Sequence, residues 1–186
     1  MRPPGARQLQ TEDIIRPVRL AHFVLRSNHF ADTTAWYRTV LGAEPVFDNP
    51  FICFLTYDDE HHRLAIVNTA DAPDAPTGCA GVDHIAFTLA SLGDLLSSFR
   101  RLHNLGIQPH LCINHGPTTS LYYRDPDGNQ VELQVDNFDT PEALKGWFEG
   151  EDFAQNPIGV TFDPDKLIER FEAGHPIEEL VKQGSA

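Results

Sequence analysis

An internal repeat governs every other reading of this 186-residue chain. LAHFVLRS (20–27) and VDHIAFTL (82–89) are each followed by a helical stretch and then by three strand-like runs. In the first copy these are DTTAWYRTVLGAE and then PVF, FICFLTY and HHRLAIVN; in the second, SLGDLLSSFRRLHNLG and then HLCIN, TTSLYYR and NQVELQV. His22 and His84 hold the same place in the two copies, sixty-two residues apart. Period-2 alternation in the strands, 3.6-residue spacing in the helices and a terminal Gly42 or Gly106 give each copy the order βαβββ. DAPDAPTGCAG (71–81) has the Pro, Asp and Gly of a linker. In the leading strands Phe23, Leu25, Ile85 and Phe87 share one face, against the helices, and His22 and His84 the other. The expected fold is α+β, with two four-stranded sheets curling so that their histidine faces line a shared cavity.

Flanking this core, residues 1–16 read as an arm, and 139–186 as a helical tail with start signals in DTPEALKGWF and DPDKLIERFEAG. The tail is expected to brace the barrel or to mediate a dimer contact, with Trp147 and Phe148 as anchors. Lys+Arg 14 against Asp+Glu 27 leaves a net charge of −13 with no basic block. Nucleic acid and anionic membranes are therefore poor partners. No apolar run approaches the roughly 20 residues of a bilayer span, and the N-terminus carries no secretory h-region. Three cysteines, Cys53, Cys79 and Cys112, are too few for a disulfide framework, so a cytoplasmic location is expected.

A lone histidine on a sheet's inner face is ordinarily a hydrogen-bonded structural residue; two at equal repeat positions invite a metal. In NQVELQV, Val131, Leu133 and Val135 face the helices, so Glu132 points inward. An inward carboxylate needs a counter-charge, since burying it alone costs several kcal/mol or forces protonation. A divalent ion shared with two neutral imidazoles supplies one. His22, His84 and Glu132 thus form a candidate two-histidine, one-carboxylate set, the ligands of non-haem Fe(II) oxygenases with open positions. Aligning RLAIV with QVELQ puts Ala65 where Glu132 stands, so the first copy has no fourth ligand.

Two segments carry a family resemblance over residues 17–138: FLTYDDEHHRLAI and SLYYRDPDGNQVEL, the latter closing a hairpin through an Asp-Pro-Asp-Gly turn. They resemble the vicinal oxygen chelate superfamily, and within it the single-domain type I extradiol catechol dioxygenases. That resemblance implies a glyoxalase-like barrel with modules at 17–70 and 80–138. It implies His22, His84 and Glu132 as ligands of Fe(II) or Mn(II), and His62, second of the HH pair, as the acid-base residue. Tyr122, four residues before Pro126, is implied to bond substrate or oxygen at the metal, and His115 to hold the other catecholic oxygen. On a regular strand His62 and Ala65 have opposite parity, so His62 requires a bulge or a place at the strand mouth. Of Tyr122 and Tyr123 only one can face inward, and the offset to the turn proline favours Tyr122. The remaining histidines, His61 among them, are read as surface or core residues. The implied activity is insertion of both atoms of O2 into a small aromatic diol by a homodimer or larger assembly. The alternatives are a metal-dependent lyase or isomerase of the glyoxalase I type, against which Ala65 speaks, and a non-enzymatic binding protein of the bleomycin-resistance kind.

Overall fold

In the computed structural model, described for residues 14–76 and 78–186, the first repeat forms β1 (Phe23–Ser27), α1 (Phe30–Leu41), β2 (Glu44–Asp48), β3 (Ile52–Thr56) and β4 (Leu64–Asn68). The second forms β5 (His84–Thr88), α2 (Leu92–Asn104), β6 (Leu111–Asn114), β7 (Thr118–Arg124) and β8 (Gln130–Asp136). Most of the arm expected at 1–16 lies outside the described residues. Each repeat is a mixed sheet in which the leading strand pairs parallel with the last, in the order β1-β4-β3-β2 and β5-β8-β7-β6. The βαβββ reading and the α+β class hold.

The helices form where their apolar residues find a sheet to cover. Along α2, Leu92, Leu95, Leu96, Phe99 and Leu102 are all buried, and Ser91 caps the start by accepting from the Asp94 N–H at 3.1 Å. Helix α1 ends at Gly42, whose φ of 65° is left-handed and favours a residue without Cβ. This helix spans both sheets. Tyr37 packs with Leu55, Leu64 and Ile66 of the first and Val131 of the second, while Val40 joins Leu133 and Leu121. As expected, Phe23, Leu25 and Phe87 lean on this core.

The second hairpin turn bolts the modules together. Asp125 Oδ1 accepts from the N–H groups of Asp127 and Asn129, and the Tyr37 hydroxyl of α1 donates to Asp125 Oδ2 at 3.2 Å. Next to it, Asp127 accepts from the Thr33 hydroxyl at 2.6 Å and the His29 N–H at 3.3 Å, both at the start of α1. The DPDGN segment is thus an inter-module clamp rather than only a tight turn.

The tail departs from the all-helical expectation. It contains α3 (Pro141–Phe148), α4 (Glu151–Gln155), β9 (Val160–Thr161), α5 (Pro164–Glu172) and α6 (Ile177–Leu180). β9 pairs antiparallel with β6, making the second sheet five-stranded, because β6 would otherwise present an open edge. Leu167 and Ile168 of α5 and Leu180 of α6 are buried in the α2 core. Trp147, half-buried, packs over the Gly116 backbone, whereas Phe148 remains 47% exposed against Phe153, so only the first of the two expected anchors rests on the barrel. Among the described residues no helix is long and apolar enough to cross a membrane.

Candidate active site

Strand register settles which side chains face the open side of each sheet. β8 places Glu132 opposite Ala86 of β5 and Tyr122 of β7. At the matching points of the first module, Ala65 lies opposite Val24 of β1 and Phe54 of β3. The Tyr–Glu pair of one module is therefore a Phe–Ala pair in the other, and the missing fourth ligand is a property of register as well as of sequence.

Around Glu132 the structure builds a continuous polar chain. Its carboxylate is 4% exposed, and Oε2 lies 3.0 Å from His84 Nε2. His84 Nδ1 lies 2.7 Å from Asp83 Oδ2. On the other side, the Tyr122 hydroxyl lies beside Glu132 and stands 2.9 Å from His115 Nε2. His115 Nδ1 in turn meets the carbonyl oxygen of Ile158. A carbonyl only accepts, so the ring proton of a neutral His115 sits on Nδ1, and Nε2 accepts from the Tyr122 hydroxyl. Gly159, beside that carbonyl, has φ of 111° and a backbone so close to β6 that a Cβ there would fall 2.4 Å from the Asn114 carbonyl oxygen. The tail thus reaches the site through a position suited to glycine. Burial first, then the nearby Glu132 charge, raises the Tyr122 pKa well above that of an ordinary phenol. Tyr122 therefore keeps its hydroxyl proton throughout the physiological range. Tyr123, its competitor, points the other way into the α2 core, fully buried, with its hydroxyl unpartnered.

His22 and His62 lie at the mouth of the first module. His62 falls in the turn before β4, not within it, which removes the parity objection without a bulge. Its ring stacks on Phe54 at 4.6 Å and lies 4.3 Å from the His22 ring. Burial first, then the nearby His22 and His61, holds the His62 pKa below the ordinary histidine value. Arg63 anchors this turn, pairing with Asp58 at 2.9 Å and donating to the carbonyls of Leu20 and Ala21 just ahead of His22. Between the start of β1 and β5 lies a cleft of about 150 Å³, lined in part by His22, Tyr57, Ala86 and Phe87.

The six expected site residues therefore fall into two groups: His84, Glu132, Tyr122 and His115 in one, His22 and His62 in the other. His22, His84 and Glu132 are not gathered into a single tight trio; among the described residues the trio with ligand atoms within 4.8 Å of one another is His22, His61 and His62. Sequence reasoning passed over His61, although its adjacency to His62 was visible, and Asp83, which strand alternation assigns to the opposite face from His84. The Ile158 carbonyl left no trace in side-chain patterns. Cys53 and Cys112, read as small apolar residues, have thiols pushed up to about 11 by burial.

The donor set around His84 fits a cation. A neutral imidazole has one N–H and can satisfy only one of its two flanking carboxylates. With that N–H turned to Asp83, Nε2 and the Glu132 oxygen present two lone pairs to the same point. This is the carboxylate-backed histidine common among metal ligands.

Paired βαβββ modules with such a half-site define the vicinal oxygen chelate fold. Residues 19–133 match the Glyoxalase/Bleomycin resistance protein/Dioxygenase superfamily, and the chain belongs to it. Biphenyl-2,3-diol 1,2-dioxygenase 3 of Rhodococcus globerulus is 47% identical over 170 residues, 90% of each chain. Biphenyl-2,3-diol 1,2-dioxygenase 2 of the same organism is 45% identical over 165 residues, 88% of this chain and 86% of its own. The crystal structure of lactoylglutathione lyase from Agrobacterium tumefaciens superposes with a TM-score of 0.53 at 23% identity, over 64% of this chain and 94% of that one, a likeness of fold.

Proposed function

We infer that this chain is an extradiol ring-cleaving dioxygenase, inserting both atoms of O2 into a catechol-type aromatic diol. The metal is Fe(II), with Mn(II) the alternative, and His22, His84 and Glu132 are its proposed ligands. Catechol 2,3-type cleavage, beside rather than between the hydroxyls, is the proposed regiochemistry. The observation that carries the reading is the buried Glu132 carboxylate, beside a carboxylate-backed imidazole and a phenol, with no Lys or Arg paired to it among the described residues. When bound, the ion supplies a redox-active centre with positions open to the diol and to O2.

The chain's own residues do the rest. Tyr122 offers its hydroxyl to an oxygen of the diol or of O2, and its orientation is set by His115 and, through it, by the Ile158 carbonyl. His62, with its lowered pKa, is neutral near pH 7 and accepts a proton from a diol hydroxyl, returning it later in the reaction. Phe54 and Phe87 border the approach and suit a flat aromatic ring. The printed names of the Rhodococcus relatives make a biphenyl-2,3-diol the first diol to try. Ala65, opposite Phe54, disfavours the glyoxalase-type isomerase, which would call on a second carboxylate. Further copies of this chain are proposed as its protein partners, and the free Cys53, Cys79 and Cys112 support a cytoplasmic setting.

The test is oxygen uptake by the Fe(II)-reconstituted protein with a panel of catechols that includes biphenyl-2,3-diol. Uptake of one O2 per diol with formation of a conjugated ring-opened oxo acid, a semialdehyde where the cleaved carbon bears hydrogen and a ketone where it bears the phenyl, is expected, and His84→Ala should abolish it. Failure of every diol to draw oxygen, or full activity in His84→Ala, sinks the reading.

A further inference from the structure

The turn between β3 and β4 carries an imidazole cluster that the proposed reaction only partly uses. Ring nitrogens of His22, His61 and His62 lie within 4.8 Å of one another. His61 Nδ1 stands 2.6 Å from His62 Nδ1, a ring-to-ring hydrogen bond in which a bound ion would take the place of the shared proton. The far nitrogen of His61, Nε2, faces Glu60 Oε1 at 3.5 Å. A carboxylate at that distance draws the ring proton to Nε2 and leaves the Nδ1 lone pair directed at the cluster. Glu60 is itself held, 7% exposed, by Arg19 at 2.8 Å and lies near Arg63. The His61 side chain is 64% exposed, so an ion has open access from solvent.

We propose that His22, His61 and His62 form a second metal site, which takes an imidazole-preferring divalent ion of the Zn²⁺ type and competes with the catalytic ion for His22. Three neutral imidazoles and a water make the tetrahedral set that Zn²⁺ favours, and the set contains no carboxylate to hold a harder ion. Because His22 belongs to both sites, the two occupancies exclude each other. Zinc has no redox chemistry, so the protein in this state is inactive. The competition rests on the assignment of His22 under the proposed function; the zinc site itself does not.

Calorimetric titration of the metal-free full-length chain with Zn²⁺ tests the site, in the Glu132→Gln background so that the catalytic position is weakened. Glu132→Gln should still bind Zn²⁺, and adding His61→Ala should weaken binding by at least about tenfold, with unchanged circular dichroism. Loss of binding in Glu132→Gln alone, or equal binding with and without His61, overturns the site. In the Fe(II)-loaded protein, Zn²⁺ should displace iron and inhibit oxygen uptake, and His61→Ala, with inhibition measured against its own zinc-free rate, should need at least about tenfold more Zn²⁺. Zinc bound through His61 with iron fully retained overturns the competition. Zinc bound through His61 in a protein that draws no oxygen with any diol supports the site while the dioxygenase reading fails.

Discussion

His84 is held between Asp83 and Glu132, and that placement gives Asp83 a job that its exposed position hides. In Asp83→Asn the far nitrogen loses its charged partner and the ring becomes a weaker donor to metal. Iron affinity should fall about 10–100-fold, read by competition with a chromophoric chelator, while the thermal midpoint stays put. His22 is preceded by Ala21, so no acid stands behind it in sequence, and the two histidines that look equivalent in the repeat are not chemically equivalent. Tyr122→Phe removes the hydroxyl between His115 and Glu132 while keeping the ring. We expect kcat to drop by about 10²-fold with a smaller change in KM, measured by steady-state oxygen uptake. Glu132 and Tyr122 were legible in the sequence because strand alternation and a fixed offset to Pro126 determine their facing. Asp83 was not, since it lies just ahead of β5, where alternation places it on the opposite face from His84 and gives no hint of their contact, and His61 was not, because a turn has no period to read.

The closing hairpin and α1 depend on one carboxylate. Burial alone would raise the Asp127 pKa, but hydrogen bonds from Ser27, Thr33 and His29 outweigh it and leave the group below the usual carboxylate range. A carboxylate with a depressed folded-state pKa stabilises the fold at pH values above its unfolded value. That contribution is lost as pH falls through the folded pKa, below about 4. Asp127→Asn should cost about 1–3 kcal/mol at neutral pH, since one of the two oxygens that accept from Thr33 and the His29 N–H becomes a donor. It should also flatten the acid limb of a urea-denaturation series between pH 5 and pH 2. The helices and strands were readable from periodicity, and the DPDGN turn from its composition. Its docking partner across the module boundary was not, because nothing local in either segment encodes a contact 94 residues away. β9 escaped for a related reason: two residues carry no pattern, and only the open edge of β6 makes them a strand.

The two modules share one core but not one chemistry. Their apolar clusters, around Tyr37 and Leu64 on one side and Leu95 and Leu133 on the other, contain none of the proposed ligands. Removal of metal should therefore leave far-UV circular dichroism unchanged and lower the Tm by no more than about 10 °C, while oxygen uptake vanishes and returns with Fe(II). The repeat made the doubling legible, and register explains why the doubling is not symmetric in function: Phe54 and Ala65 stand where Tyr122 and Glu132 do. The charge of −13 speaks against polyanionic partners but says nothing of the candidate site, which is made by a few residues facing the open side of the sheets.

The Ile158 carbonyl that orients His115 lies 43 residues further along the chain, beyond both modules. During synthesis the last proposed metal ligand, Glu132, leaves the ribosome well before that carbonyl does. A nascent chain can thus complete both sheets and present its ligands while His115 still turns freely. Under the proposed roles of Tyr122 and His115, competence for proton handling would be conferred late, by the tail, and ribosome-stalled or clipped products ending before residue 158 would retain the half-site around His84 but lack the Ile158 carbonyl that aligns His115.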